Sequence, residues 1–208
     1  MTLTFSQACE NNKQAIVTIL KSAFSATKNV LEIGSGTGQH ACYFSDNLPH
    51  LLWQTSDLPL NHDSINQRIE QHNQISQNLL KPITIDLNHD WQRQSIGLAQ
   101  HDNFDGIFTA NTLHIVSWSL VVKFFSGVAN YLAENGTLCI YGPFNYQGNF
   151  TSPSNANFDI WLKDRDKNSG IRDFEAIIEL ATSAGLTLID DHTMPANNRL
   201  LVLMKKPA

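Results

Sequence analysis

Residues Val30–His40 read VLEIGSGTGQH, a short apolar strand with one acid in it followed by glycine at every second position, Gly34, Gly36 and Gly38. A strand that runs through a glycine-rich turn into a helix brings the backbone up to an anionic or polar ligand. Glycine permits the tight turn and the close approach, and the turn is expected to present free N–H groups. The dinucleotide fingerprint G-x-G-x-x-G requires a third glycine where this chain has Gln39. The loop therefore argues against a nicotinamide enzyme, and Glu32, two residues before the first glycine, needs its own explanation.

Outward from the loop, helical and extended patterns alternate. A leading helix is expected over about Ser6–Phe24, with Ala15, Ile16, Ile19, Leu20 and Ala23 at helical spacing. Strand Asn29–Ile33 and a helix over Gly38–Asn47 flank the glycines. Then come strand Leu51–Thr55 ending at Asp57, a polar helix Ser64–Leu79, strand Pro82–Asp86 and a short helix near Gln92–Ala99. Strand Phe104–Thr109, helix Trp118–Leu132 and a glycine turn into a strand over Glu134–Pro143 follow. Periodicity lapses through Pro143–Arg172 except for a short helix around Asn157–Lys163. It returns as helix Ile171–Ala184 and strands Leu186–Asp190 and Leu200–Met204. This order predicts an α/β fold, Rossmann-like, with a seven-stranded mostly parallel sheet and helices on both faces. The last two strands are close enough to form a hairpin, which makes the final strand antiparallel.

The 208 residues fit one domain over 1–208, a size that buries roughly 70% of its unfolded surface. Composition is that of an ordinary globular protein, 42% hydrophobic and 16% charged. A net charge of −5 argues against bulk nucleic acid, which calls for a Lys/Arg surface to displace phosphate counterions. No basic leader and no long apolar run is visible, so neither secretion nor membrane spanning is expected. Cys9, Cys42 and Cys139 are odd in number and unpaired by motif, which suits reduced thiols and a cytoplasmic setting. Nothing in the sequence selects an oligomeric state.

The pattern E-x-G-x-G-x-G resembles motif I of the class I S-adenosylmethionine-dependent methyltransferases, and four further segments keep the same order. Asp57 ends the second strand, where an acid accepts hydrogen bonds from both ribose hydroxyls. Asp86 in ITIDLNHDW is similar to the acid that contacts the adenine amino group. Asn111 in FDGIFTANTLHIVSW matches the residue beside the methionine portion, and ENGTLCIYGPF matches the glycine turn and fifth strand. The resemblance implies S-adenosyl-L-methionine as cofactor, contacted by Glu32, Gly34, Ser35, Gly36, Gly38, His40, Asp57, Leu58, Asp86, Leu87 and Asn111. Over essentially the whole chain, ACENNKQAIVTIL, SN-x-x-FD and GIRD-x-E resemble the methyltransferase-like 26 family of domain-of-unknown-function proteins. That likeness implies the fold and names no substrate.

Methyl transfer from a sulfonium is an in-line displacement, so the acceptor is recognised by whatever covers the cofactor. Pro143–Arg172 is too long for an idle connection and too aromatic for disorder, and is read as a substrate cap. Within it Tyr146, Asn155, Asp159 and Arg172 are candidate substrate contacts, and Asn12 of the leading helix closes the pocket from the other side. His114 is the candidate general base; the alternative is an imidazole packed against Trp118 or contacting the cofactor without proton transfer. The pairs His62–Asp63, His89–Asp90 and Asp191–His192 lack ligand spacing, so no metal is expected. The expected activity is methyl transfer to a small molecule. The competing reading is a binding protein without catalysis, whose cap would be filled by side chains instead of holding an open polar pocket.

Overall fold

The computed structural model describes residues 3–72, 77–91 and 103–207. Helix α1 spans Gln7–Ala23 and starts at Ser6, whose side chain accepts from the Cys9 N–H; Asn12, Ile16, Val17 and Leu20 form its buried stripe. Strand β1 (Asn29–Ile33) leads through the glycine loop to α2 (Gln39–Asn47), followed by β2 (Leu52–Asp57), α3 (Pro59–His72) and β3 (Leu79–Thr84). Next come β4 (Phe104–Ala110), α4 (Trp118–Tyr131), β5 (Leu132–Gly142) and the two-residue β6 (Phe144–Asn145). The chain ends with α5 (Pro153–Arg165), β7 (Arg172–Asp173), α6 (Phe174–Ser183), β8 (Leu186–Met194) and β9 (Asn198–Lys205).

Seven strands form one sheet in the order β3-β2-β1-β4-β5-β9-β8. Strands β1 to β5 pair in parallel, and β9 runs antiparallel to both β5 and β8. The expected fold and the antiparallel last strand are thus observed. Strand alternation sends successive side chains to opposite faces. Ile107, Leu138, Ile140, Leu201 and Leu203 meet Phe124 and Phe125 of α4 and Ile177 of α6 on one side. Their neighbours Phe108, Cys139, Tyr141, Leu200 and Val202 meet Ile16 and Leu20 of α1 and Phe44 of α2 on the other. Burial on both faces is why the central strands read as nearly continuous apolar runs.

Several boundaries differ from expectation: β3 starts at Leu79, where the polar helix was expected to end, and α6 starts at Phe174, after the short strand β7. Helix α3 begins at Pro59, five residues before Ser64, because proline is well placed in a first helical turn, where its missing N–H costs nothing. Helix α5 begins four residues before Asn157 for the same reason: Ser152 caps the Asn155 N–H and Pro153 opens the helix. Strand β8 runs to Met194, past Asp190, because its pairing with β9 continues to the turn. The helix expected near Gln92–Ala99 lies outside the described residues.

Candidate active site

The switch point of the sheet lies between β1 and β4, where the chain crosses from one side of the sheet to the other, and open α/β sheets bind ligands outside that edge. Three segments are anchored there. In the glycine loop, Gly34, Gly36 and Gly38 have φ of 75°, 56° and 73°, the left-handed region that a side chain disfavours. The loop is laid along the end of β2: the Gly34 and Ser35 amides donate to the Ser56 carbonyl, and the Gly36 amide donates to Asp57 Oδ2 at 2.6 Å. The Gly38 amide donates to the Ser35 carbonyl. The expectation of free N–H groups is therefore corrected, since four of these amides are already engaged within the fold. The loop's remaining asset is bare backbone. No atom lies within 4 Å of where a Cβ on Gly36 would stand.

Glu32 lies beneath this loop and outside the cavity wall. It is buried, accepts from Ser35 Oγ at 2.8 Å and Trp53 Nε1 at 3.1 Å, and burial raises its carboxyl to about 7. Its place is structural support, which corrects its assignment as a direct ligand contact. Gln39, which replaces the third dinucleotide glycine, ties the leading segment to the loop. Its Oε1 accepts from the Ser6 amide, and its Nε2 donates to the Ser6 carbonyl at 3.3 Å. This brings Ser6, Ala8 and Cys9 to the cavity, so the leading helix does form one wall of it, through residues that precede Asn12.

The resulting cavity measures about 790 Å³ and is lined by Gly34, Ser35, Gly36, His40, Asp57, Asn111 and His114 among the expected residues. Asp57 Oδ1 already accepts from the Leu58 amide at 2.7 Å and Asn61 Nδ2 at 2.8 Å. With Gly36 on Oδ2, the carboxylate keeps about one further acceptor position. Asn111 holds φ 57° at the end of β4, with its amide on the Tyr141 carbonyl. His40 is buried, stacks on Phe44 and lies 2.6 Å from Asn12 Oδ1 through Nε2; burial lowers it to about 4.

His114 is buried in the wall and meets Phe158 edge to face at 5.4 Å, not Trp118. Burial, with the Arg172 charge adding to it, lowers its imidazole to about 4, so the ring is neutral near pH 7. Across the cavity, Phe158, Trp161, Leu162 and Arg165 of α5 face it at helical spacing; Phe158 stacks on Trp161 and Arg165 lies over the Trp161 ring. Asp86 and Leu87 do not line the cavity. Asp86 folds back on its own turn, accepting from the Asn88 amide and side chain, and Leu87 is core. Leu58 is partly exposed beside Asp57, and Gly38 caps α2.

A second cavity of about 390 Å³ adjoins the first at Ala8, Asn111 and Phe158. Asn12 and Asn155, two of the candidate substrate contacts, both line it. The other three cap residues are elsewhere. Asp159 is buried, with Oδ1 on the Ile171 amide at 2.7 Å and Oδ2 on Lys163 at 2.6 Å. Arg172 ties the cap to the β4–α4 loop, donating through Nε to the Leu113 carbonyl at 3.0 Å and through its terminal nitrogen to Val116 and Asn168. Tyr146 donates to Asp191 Oδ2 at 2.7 Å and stacks on Phe174, away from both cavities. All three were expected at the substrate; instead Tyr146 joins the cap to β8, Arg172 joins it to the β4–α4 loop, and Asp159 holds parts of the cap to one another. Among the described residues no group of three or more His, Cys, Asp or Glu could hold a metal ion, and no helix is long and apolar enough to cross a membrane.

Solved structures share this architecture. An O-methyltransferase family protein from Burkholderia thailandensis matches 94% of this chain and 57% of its own at a TM-score of 0.78 and 16% identity. The S-adenosylmethionine-dependent methyltransferase SibL matches 96% and 56%, at 0.78 and 15%. NcsB1, an O-methyltransferase of neocarzinostatin biosynthesis seen with S-adenosylmethionine and 2-hydroxy-5-methyl naphthoic acid, matches 96% and 55%, at 0.75 and 14%. The chain thus spans little more than half the length of these proteins, and the likeness is one of fold, the class I methyltransferase fold. A family model described as a protein of unknown function, DUF938, matches residues 3–205, from the segment that Gln39 holds to the last strand, and the chain belongs to that family.

Proposed function

We propose that this chain is an S-adenosylmethionine-dependent methyltransferase acting on a small-molecule acceptor. The observation that carries the reading is the pair of adjoining cavities at the carboxyl edge of the sheet, one built on bare glycine backbone and Asp57, the other an unfilled space with several asparagines in its wall. A binding protein without catalysis would fill the second space with side chains, so its presence supports the enzyme. The fit of the donor is supported by the room above Gly36 and by the remaining acceptor position on Asp57. Asp57 then holds one ribose hydroxyl directly, and a second only if Asn61 gives way. Asn111, common to both cavities, lies at the junction between donor and acceptor.

Held over Gly36 and Asp57, the cofactor would supply an electrophilic methyl group and leave as the neutral thioether, and a hydroxyl or protonated amine acceptor would have to give up a proton. His114 is neutral near pH 7 and has no ring hydrogen-bond partner among the described residues, so it can take that proton. Phe158, Trp161 and Leu162 give the site an apolar wall that would help to displace water once a ligand is bound. We place the chain beside the methyltransferase-like 26 proteins on the strength of the SN-x-x-FD and GIRD-x-E elements. Three free thiols support a reducing, cytoplasmic setting for a single domain.

A thermal-shift titration with S-adenosylmethionine, S-adenosylhomocysteine and NAD tests the reading. At a hundred times its Kd a ligand adds about 2.7 kcal/mol, a rise of roughly 5–10 °C in a domain of this size. The two sulfur ligands should produce it and NAD should not. No rise with either sulfur ligand removes the methyltransferase reading.

A further inference from the structure

The second cavity has an unusual lining. Asparagines predominate among its polar lining residues, Asn12, Asn111, Asn155, Asn197 and Asn198 among them with Tyr141 beside them, and none of its lining residues is an Asp, Glu, Lys, Arg or His. It opens on the first cavity past Asn111, beyond the ends of β4 and β5, which is the side away from Asp57.

The amide orientations follow from chemistry. Asn155 gives its two amide hydrogens to Thr151 Oγ1 at 2.9 Å and to the Asn197 carbonyl at 3.1 Å. A main-chain carbonyl can only accept, so the Asn155 amide nitrogen is the group committed to the fold and its oxygen is left over. Asn198 likewise commits its nitrogen to the Pro195 carbonyl at 3.2 Å. Asn12 is engaged by His40, whose Nε2 lies 2.6 Å from its side-chain amide, and the Tyr141 hydroxyl lies within bonding reach of Asn12 and Asn198. The Asn197 turn that closes this wall has left-handed backbone at Ala196 and Asn197, both at φ 57°, a conformation that costs energy at alanine and is held in place by the Asn155 contact.

We infer that this amide-lined chamber is the acceptor subsite and that it takes an uncharged molecule presenting hydroxyl or N–H donors. The inference rests on the reading of the adjoining cavity as the methyl-donor site. An anionic tail would find no cation to pair it, and an ammonium would find no carboxylate. Burying an unpaired charge is far more costly than burying a neutral group that can hydrogen-bond. A neutral donor instead satisfies the Asn155 oxygen.

The test uses the whole chain saturated with S-adenosylhomocysteine and three probes sharing a phenol ring: 4-hydroxybenzamide, 4-hydroxybenzoate and tyramine. Affinities are read by ligand-observed NMR. The neutral amide should bind at least about tenfold more tightly than either ion, and Asn155→Leu should remove that preference. Equal or tighter binding of the carboxylate overturns the inference, and so does an unchanged preference in the variant or no binding by any probe. Should Asn155→Leu fail to fold, Asn197→Asp serves instead, because Asn197 is exposed and aspartate tolerates left-handed backbone. Its added charge should improve tyramine at least about tenfold over the parent chain, and no improvement overturns the inference. Failure of S-adenosylhomocysteine to shift the melting point counts against the donor reading alone. The probe series on the free chain then still reads the charge preference of the chamber.

Discussion

Gly36 and Gly34 have the same left-handed backbone and opposite surroundings. A Cβ on Gly34 would stand 2.9 Å from Thr112 Oγ1, whereas one on Gly36 would meet nothing. Gly36→Val is therefore expected to fold, at a backbone cost of roughly 1–2 kcal/mol, while its side chain enters the donor cavity and abolishes adenosylmethionine binding. Calorimetric titration with a circular-dichroism melt checks both halves, and retained binding would take the loop out of the site. His114 makes a different kind of test. His114→Gln should leave the affinity for S-adenosylhomocysteine unchanged and lower turnover of any acceptor found by about 100-fold or more, the usual contribution of a positioned base. Unchanged turnover would make the ring a packing partner of Phe158.

At the scale of elements, the cap is a fixed wall. Its helix α5 is held at both ends: Asn155 to the β8–β9 turn on one side, and Ser169, Gly170 and Arg172 to the β4–α4 loop on the other. Asp159 closes the join by accepting the Ile171 amide. Asp159→Ala should cost about 1–3 kcal/mol, the penalty of leaving that buried N–H unmet, and lower the melting temperature by several degrees. Binding of S-adenosylhomocysteine to the folded variant should be unaffected, as a titration well below the melting point would show. A lost affinity with an unchanged melting temperature would return Asp159 to the ligand.

At the scale of the whole molecule, three buried groups set the response to pH. His40 and His114 are lowered to about 4, so the stability they contribute is full above their unfolded value of 6.5 and is lost as pH falls towards 4. Glu32 is raised to about 7, so its contribution is full below 4.5 and is lost as pH rises through 7. The two histidines outweigh the one carboxyl, and the melting temperature should fall between pH 6.5 and 4. Glu32→Gln removes the opposing contribution. The variant should melt higher than the parent chain at pH 8 and lose stability more steeply on acidification. Parallel melting curves for the two proteins across that range would show that Glu32 does not titrate there.

The sequence alone determined the order of elements, the antiparallel last strand and the glycine loop at the ligand edge, because periodicity, turn chemistry and spacing are written locally. It also reached Asp57, Asn111 and His114, whose places follow from being at the ends of β2 and β4. Only the tertiary structure decided what the cap residues do. Helix α5 carries polar and apolar residues all round its circumference, so no stripe in the sequence says which face meets the cavity. Packing turned Asn155, Phe158 and Trp161 inward and committed Asp159, Arg172 and Tyr146 to holding the wall. The same holds for Glu32 and Gln39. One supports the loop from below and the other ties the leading segment to it, and both roles depend on partners about twenty or more residues away, Trp53 and Ser6, which no local pattern could have supplied.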